Sequence, residues 1–262
     1  MLESTFIHCP GVGPATERRL WAAGVADWAA FLAAAPPPCL RGAARGFAPD
    51  IVRESIERLA ARDHAWFASA VPAREHWRAY PAFADRAAFL DIETTGGGEY
   101  DAVTVIGVHD GRQLHQFVRN ENLRDFPDFV REKALLITFF GTGFDLPFLR
   151  RELRMDFPQL HIDLCHVLRR LGLSGGLKRI EAALGVARSP ETCGLDGWDA
   201  VRLWWRWHNA DDGRARDTLL SYNAEDVTNM RALIEWAYPR MVAAAHGEDE
   251  AGQSSTPDAA PT

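Results

Sequence analysis

The apolar positions of this chain change period part-way along. In TFIHCPGVGPATERRLWAAGVADWAAFLAA, Leu20, Trp21, Val25, Trp28 and Phe31 recur at helical spacing and CPGVGP supplies breakers. The stretch therefore reads as two short helices around a tight turn. APPPCLRGAARGFAP interrupts the pattern. A longer helix is expected from Asp50 as N-cap through IVRESIERLAARDHAWFASA, with Ile51, Ile56, Leu59 and Phe67 on its buried face. Val71 to Arg86, rich in Pro and Trp, reads as a crossing into a second unit.

From Ala87 the period falls to two. AAFLDIE, AVTVIGVHD and QLHQFV are short runs rich in β-branched and aromatic residues, separated by GGGEYD and DGR. They predict a three-strand meander with Asp110-Gly111 as a hairpin turn. ALLITFF and LHIDL are the fourth and fifth strand candidates, each followed by a helical stretch, and the chain from about Gly176 to Ala245 reads as mostly helical. Strands first, then alternating elements, place the fold in the α/β class with a small N-terminal all-α domain. The expected division is a helical domain over 1–80, an α/β domain over 81–245, and a disordered acidic tail over 246–262.

Composition narrows the classes. A chain of 262 residues with 47% hydrophobic content can bury the cores of two such units. Nothing approaches a membrane span or a leader peptide, so a soluble cytoplasmic protein is expected. Cys9, Cys39, Cys165 and Cys193 form no CxxC pair and have no His at ligand spacing; buried free thiols are expected. A net charge of -7 argues against coating nucleic acid by bulk electrostatics, although an acidic site can accept phosphates through bound cations.

The candidate chemistry begins at FLDIETTGGG. Residues two apart on a strand share a face, so Asp91 and Glu93 aim together while Ile92 enters the opposite layer. Two carboxylates that close repel, and a divalent cation resolves the conflict. Acids at a strand end that merely face water are the competing reading. In FFGTGFDLPFLRREL, Asp145 follows a strand and opens a helix, where it can cap amides or reach a ligand. In SYNAEDVTNMRALIEWA, Tyr222 and Asp226 lie one helical turn apart on one face. Asp163, ending the fifth strand, reads as structural or as a support behind such a site.

LDIETTG, GFDLPFL and YNAEDVTNM, in that order, resemble the DEDD superfamily of 3'-to-5' exonucleases, and the Tyr-x-x-x-Asp spacing resembles its tyrosine subtype. SGGLKRIEAALGV resembles a segment of the YprB-like ribonuclease-H-like family. The resemblance covers about Ala87 to Met241 and implies a ribonuclease-H-like mixed β-sheet flanked by helices. It implies Asp91, Glu93, Asp145 and Asp226 as ligands of two Mg²⁺ or Mn²⁺ ions, with Tyr222 as a fifth catalytic residue. Asp91 would bridge the ions, Glu93 and Asp226 would complete the site of the nucleophilic water, and Asp145 would help hold the second ion. Tyr222, a weak base, would orient that water. One departure is Phe140, where relatives often carry an Asn; a polar contact to the substrate strand is missing there.

Two further segments suggest nucleic-acid contacts. SGGLKR offers Ser174 as an N-cap, exposed amides at Gly176 and a point charge at Lys178, though an ordinary capped helix fits equally. CPGVGPATERRL resembles the helix-hairpin-helix motif, in which Gly11 and Gly13 permit the turn, Val12 plugs it, and Thr16, Arg18 or Arg19 flank a phosphate; such hairpins also serve as packing modules. Of Trp198, Trp204, Trp205 and Trp207, most are expected to pack, although aromatics also stack on unpaired bases. The resulting expectation is a metal-dependent exonuclease acting on a single-stranded 3' end or duplex end, with DNA favoured. An inactive nucleic-acid-binding or scaffold module and a structure-selective endonuclease are the alternatives.

Overall fold

The computed structural model describes residues 1–35 and 37–247, so the expected tail from 248 onward lies outside the described residues. A 3-10 turn at Leu2–Ser4 precedes the Gly11–Gly13 turn, and helix α1 (Pro14–Ala22) follows it; α2 (Trp28–Ala33) lies beyond Gly24. The two helices thus flank Gly24-Val25, and the expectation that CPGVGP joins them is corrected. The cause is local. Trp21 and Trp28 donate their indole N–H groups to the carbonyls of Ser4 and Thr5 at 2.9 and 2.8 Å, and Glu17 accepts the Phe6 N–H at 2.6 Å. Those side chains take up backbone groups that a first helix would have used. Val12 is buried, and Gly11 lies in the left-handed region.

The expected long helix is two. α3 (Gly42–Ala60) starts before Asp50 and contains Pro49. Its buried face is Ala44, Ala48, Val52 and Ser55, with Ser55 bonded to His8 at 2.8 Å; Ile56 is exposed. That contact with the core offsets the ~3 kcal/mol an internal proline costs. Arg62 turns left-handed, and Asp63, not Asp50, caps the next helix, α4 (His64–Ala70), by accepting the Trp66 N–H. A 3-10 segment, Ala73–Ala79, and the short α5 (Tyr80–Phe83) bring the chain to the sheet.

Strands β1 (Ala87–Thr94), β2 (Val103–His109) and β3 (Leu114–Val118) form the expected meander. Then come α6 (Phe126–Arg131), β4 (Leu135–Thr138), α7 (Asp145–Leu153), β5 (Leu160–Asp163), α8 (Leu164–Arg170), α9 (Leu177–Ala183), α10 (Gly197–Ala210) and α11 (Gly213–His246). The sheet order is β3-β2-β1-β4-β5, with β1 antiparallel to β2 and parallel to β4. This is a mixed α/β sheet flanked by helices, beside a helical N-terminal region.

The period of two in β1 divides the interior. Ala88, Leu90 and Ile92 enter a core with Phe126 and Val130 of α6 and Leu146 and Leu149 of α7. Ala87 and Phe89 enter the other, which runs from Trp28, Phe67 and Trp77 to Val227, Met230 and Leu233 of α11. Cys9 and Cys165 are buried, but Cys39 is half-buried and Cys193 exposed, so buried thiols hold for half of the set. No helix among the described residues is long and apolar enough to cross a membrane.

A buried ionic knot ties the front helices to the crossing segment. Arg78, 3% exposed, meets Glu17 and Glu75, each at 2.9 Å. Replacing Arg78 by Met strands the buried Glu17 carboxylate and leaves Glu75 to Arg170, and is expected to lower unfolding free energy by about 3–5 kcal/mol in urea titrations. Adding Glu17→Gln and Glu75→Gln should recover part of that loss; an unchanged midpoint in the single variant would deny the knot its role.

Candidate active site

Asp91 and Glu93 extend the row of Ala87 and Phe89 beyond the last residue of β1 that β4 pairs, Phe89. On that side the neighbour is no longer a strand. The segment from Phe139 to Phe144 fills the place, and Asp145, first residue of α7, accepts the backbone N–H of Ile92 through Oδ1 at 3.2 Å. Asp145 thereby closes a gap in the sheet's hydrogen bonding instead of capping its own helix. The chain around it is held from below. Asp163, ending β5, accepts the N–H groups of Phe140 at 2.9 Å and Thr142 at 3.0 Å, and also caps α8 through Cys165.

The third group of side chains descends from α11. Asn223 donates to Asp91 Oδ2 at 3.1 Å and receives Gln116 Nε2 at 3.2 Å. Gly107 of β2 makes that approach possible, since a Cβ there would sit 2.1 Å from Asn223 Oδ1. One carboxylate oxygen each from Asp91, Glu93 and Asp226 lies within 4.8 Å of the others, at the floor of a cavity of about 500 Å³ that Asp145 and Tyr222 also line. Asp145 stands outside this tight group of three.

Positive charge sits behind the acids. Arg188, buried, ion-pairs with Glu181 at 2.5 Å and with Asp226, while Asn229 donates to Glu181 at 3.0 Å. Lys178 donates to the Tyr222 hydroxyl at 2.9 Å and to the Leu195 carbonyl. The structure therefore turns Lys178 toward Tyr222. Gly176 is the N-cap of α9 with no side-chain cap, so Ser174 is not that cap. Gly11, Gly13, Thr16 and Arg18 belong to the front region and do not line the cavity.

Burial lifts every acid of the site, and mutual repulsion adds to it. Asp145 is raised to about 7 and Asp226 to about 6, the latter pulled back by Arg188. Asp91 and Glu93 stand well above the ordinary carboxylate range, through desolvation and then through Asp226 and Asp145. Burial and the same acids push the Tyr222 phenol up, so it is a poor proton acceptor. The donors suit a hard divalent cation: all are carboxylate oxygens, and Glu93 Oε1 is buried with no hydrogen-bond partner among the described residues.

Reading the sequence missed Asn223, Arg188 and Glu181. Asn223 had a signal in its partner, the isolated glycine inside VIGVH that marks a close approach. Arg188 and Glu181 lie in different local contexts and had none, because their pairing exists only after α9 and α11 pack.

A family model described as the RNase_H superfamily matches residues 88–238, more than half of the chain. No curated protein matches the sequence. Among solved structures, the fold is similar to that of the family B DNA polymerase from the hyperthermophilic archaeon Pyrobaculum calidifontis. The TM-score is 0.50 at 19% identity, covering 61% of this chain and 25% of that one. The chain thus spans a quarter of that polymerase's length, and the likeness concerns the fold.

Because folding raises these carboxyl pKa values, the cation-free folded chain binds more protons than the unfolded chain between about pH 4 and pH 7. Its stability should fall as pH rises through that window. The melting temperature in chelator is expected to drop from about pH 5 to about pH 8, and Mn²⁺ should raise it more at the higher pH. A cation-independent melting temperature at both pH values would contradict the assignment of these acids as ligands.

Proposed function

The chain belongs to the RNase H superfamily, and from that membership together with its acid cluster we propose that it is a metal-dependent nuclease that shortens nucleic-acid strands from the 3' end. The observation that carries this reading is the convergence of Asp91, Glu93 and Asp226 within 4.8 Å, with Glu93 Oε1 buried and unpaired among the described residues. Side chains far apart in sequence are held against their mutual repulsion at the floor of an open cavity. Asp91, Glu93, Asp226 and Asp145 would hold two Mg²⁺ or Mn²⁺ ions. Such ions supply the positive charge that the attacking and leaving oxygens of a phosphodiester require.

The protein's own groups do the positioning. Asn223 fixes the Asp91 carboxylate, Arg188 fixes that of Asp226, and Asp145 is held by the Ile92 amide. The Tyr222 hydroxyl accepts from Lys178 and keeps its own proton for a further acceptor, which suits it to orient water rather than to deprotonate it. Tyr222 four residues before Asp226 supports the tyrosine subtype, and SGGLKRIEAALGV supports a YprB-like placement. The exposed turn at Gly11 and Gly13, with Thr16 and Arg18 following, offers a sequence-independent contact to a DNA backbone outside the cavity.

One observation favours a second reading. Arg188 already neutralises Asp226, so a cation must compete for that carboxylate; if it fails, the chain binds strands without cutting them. End-labelled single-stranded and duplex DNA and RNA, incubated with Mn²⁺ or chelator, separate the readings. Stepwise shortening from the 3' end supports the exonuclease, internal cuts an endonuclease, and binding alone the second reading.

Asp91→Ala and Asp226→Asn should abolish cleavage while circular dichroism shows the fold retained; full activity in either refutes the metal assignment. Tyr222→Phe should slow hydrolysis about 10²-fold, the scale of a misplaced reactant, with little change in cation affinity by calorimetry. Lys178→Met should act in the same direction, because it releases the Tyr222 hydroxyl.

A further inference from the structure

Asp91, Gly107 and Gln116 stand in one transverse row of the sheet. Asp91 of β1 pairs with Gly107 of β2, and Gly107 pairs in turn with Gln116 of β3. Cross-strand partners present their side chains to the same face, so Asp91 and Gln116 rise toward α11 with a glycine between them. Two strand spacings, roughly 10 Å, separate them, too far for a direct bond. Asn223 of α11, fully buried, lies over the glycine and closes the gap.

The bonds along this row run in one direction. Gln116 Nε2 donates to the Leu220 carbonyl at 2.8 Å and to Asn223 Oδ1 at 3.2 Å. Asn223 Nδ2 then donates to Asp91 Oδ2 at 3.1 Å and to the Asp91 carbonyl at 3.4 Å. A backbone carbonyl only accepts, so Leu220 dictates that Gln116 presents its NH₂ group. The second hydrogen of that group needs an acceptor, which turns the Asn223 oxygen toward β3 and its nitrogen toward Asp91. Rotated by half a turn, the Asn223 amide would set its oxygen against the oxygens of Asp91 and its NH₂ against that of Gln116.

Gln116 is itself tied down, although β3 is an edge strand. Asn122 Nδ2 donates to the Gln116 carbonyl at 3.0 Å, and Asn122 Oδ1 accepts the Val118 N–H at 2.7 Å. The side chain that sets the direction therefore starts from fixed backbone.

We propose that Gln116 is a positioning residue for the acid cluster. It fixes the sense of the Asn223 amide, which keeps a donor on Asp91 and holds that carboxylate in the orientation a cation requires. It acts through Asn223 alone. The proposal rests on the reading of these acids as cation ligands. Groups that orient a ligand from behind typically change metal affinity about 10–100-fold when they are removed. The competing role is purely structural: the bond to Leu220 would pin β3 to α11, and its loss would cost stability without touching cation affinity.

The test measures Mn²⁺ affinity by calorimetry on the full chain, with melting temperature and the kcat and KM of strand shortening beside it. Gln116→Met should weaken Mn²⁺ binding about tenfold and lower kcat while leaving KM unchanged. Asn223→Ala should weaken it to a similar degree, and the two changes together should cost no more than Asn223→Ala alone. Gln116→Glu keeps the side chain's shape and serves if the Met variant fails to fold. By charge alone an added carboxylate near the site would tighten cation binding, whereas a relay deprived of its donors weakens it. Weaker binding in the Glu variant therefore supports the proposal, and tighter or unchanged binding overturns it. A Met variant with a lowered melting temperature and wild-type Mn²⁺ affinity leaves Gln116 only its structural role, and additive losses in the double variant equally refute action through Asn223. If wild-type protein binds Mn²⁺ but cuts no strand, the nuclease reading fails and the affinities still decide the role of Gln116; wild-type protein that binds no Mn²⁺ overturns both.

Discussion

Four acids share one small volume in this fold, and their mutual repulsion is the constraint around which the site is built. Carboxylates this near, and this far from water, would each rather hold a proton. What keeps them in place is a set of directed bonds, each from a different part of the chain: the Ile92 amide to Asp145, Asn223 to Asp91, Arg188 to Asp226. Each bond answers one carboxylate and leaves the rest of it open. Glu93 has no such partner at Oε1, and that buried oxygen is where the demand for a cation is most direct.

The backbone makes room for this arrangement by omission. Pairing between β1 and β4 ends at Phe89, so the strand that bears the acids runs on with one edge paired to no strand and met instead by Asp145. Gly107 omits a side chain on β2, and Asn223 occupies the space. Meanwhile the even residues of β1 stay apolar to Ile92 and keep the opposite core intact. A strand can therefore carry charge on one row without losing its anchorage, because the period of two separates the two duties.

Much of this was legible in the chain. The switch from helical spacing to alternation at Ala87 located the sheet, and Asp91, Glu93, Asp145, Tyr222 and Asp226 were singled out by LDIETTG, GFDLPFL and YNAEDVTNM, three motifs whose order resembles the DEDD exonucleases. The front region was less legible. CPGVGP looked like the joint of two helices, but Trp21, Trp28 and Glu17 claim the backbone before it, and those are long-range bonds that no local window contains. Asp50 signalled a helix start that burial of Ala44 and Ala48 overrode. Arg188 was invisible for the same reason: its partners, Glu181 and Asp226, meet only when separate helices pack.

Arg188 also bears on how the site responds to a cation. Its guanidinium is shared between Glu181 and Asp226, and Asn229 steadies Glu181, so the charge on Arg188 is already satisfied on one side. Were a divalent ion to draw on Asp226, Arg188 would keep Glu181 as a partner and would not be left as an isolated buried charge, the costly outcome for such a group. Nη1 of the same guanidinium is buried and unpartnered among the described residues. The pair with Asp226 is thus one that can loosen without collapse of the helices around it. A cluster that holds its acids together, and that would yield one of them to a cation, needs a counter-charge with a second anchor, and Glu181 provides that anchor.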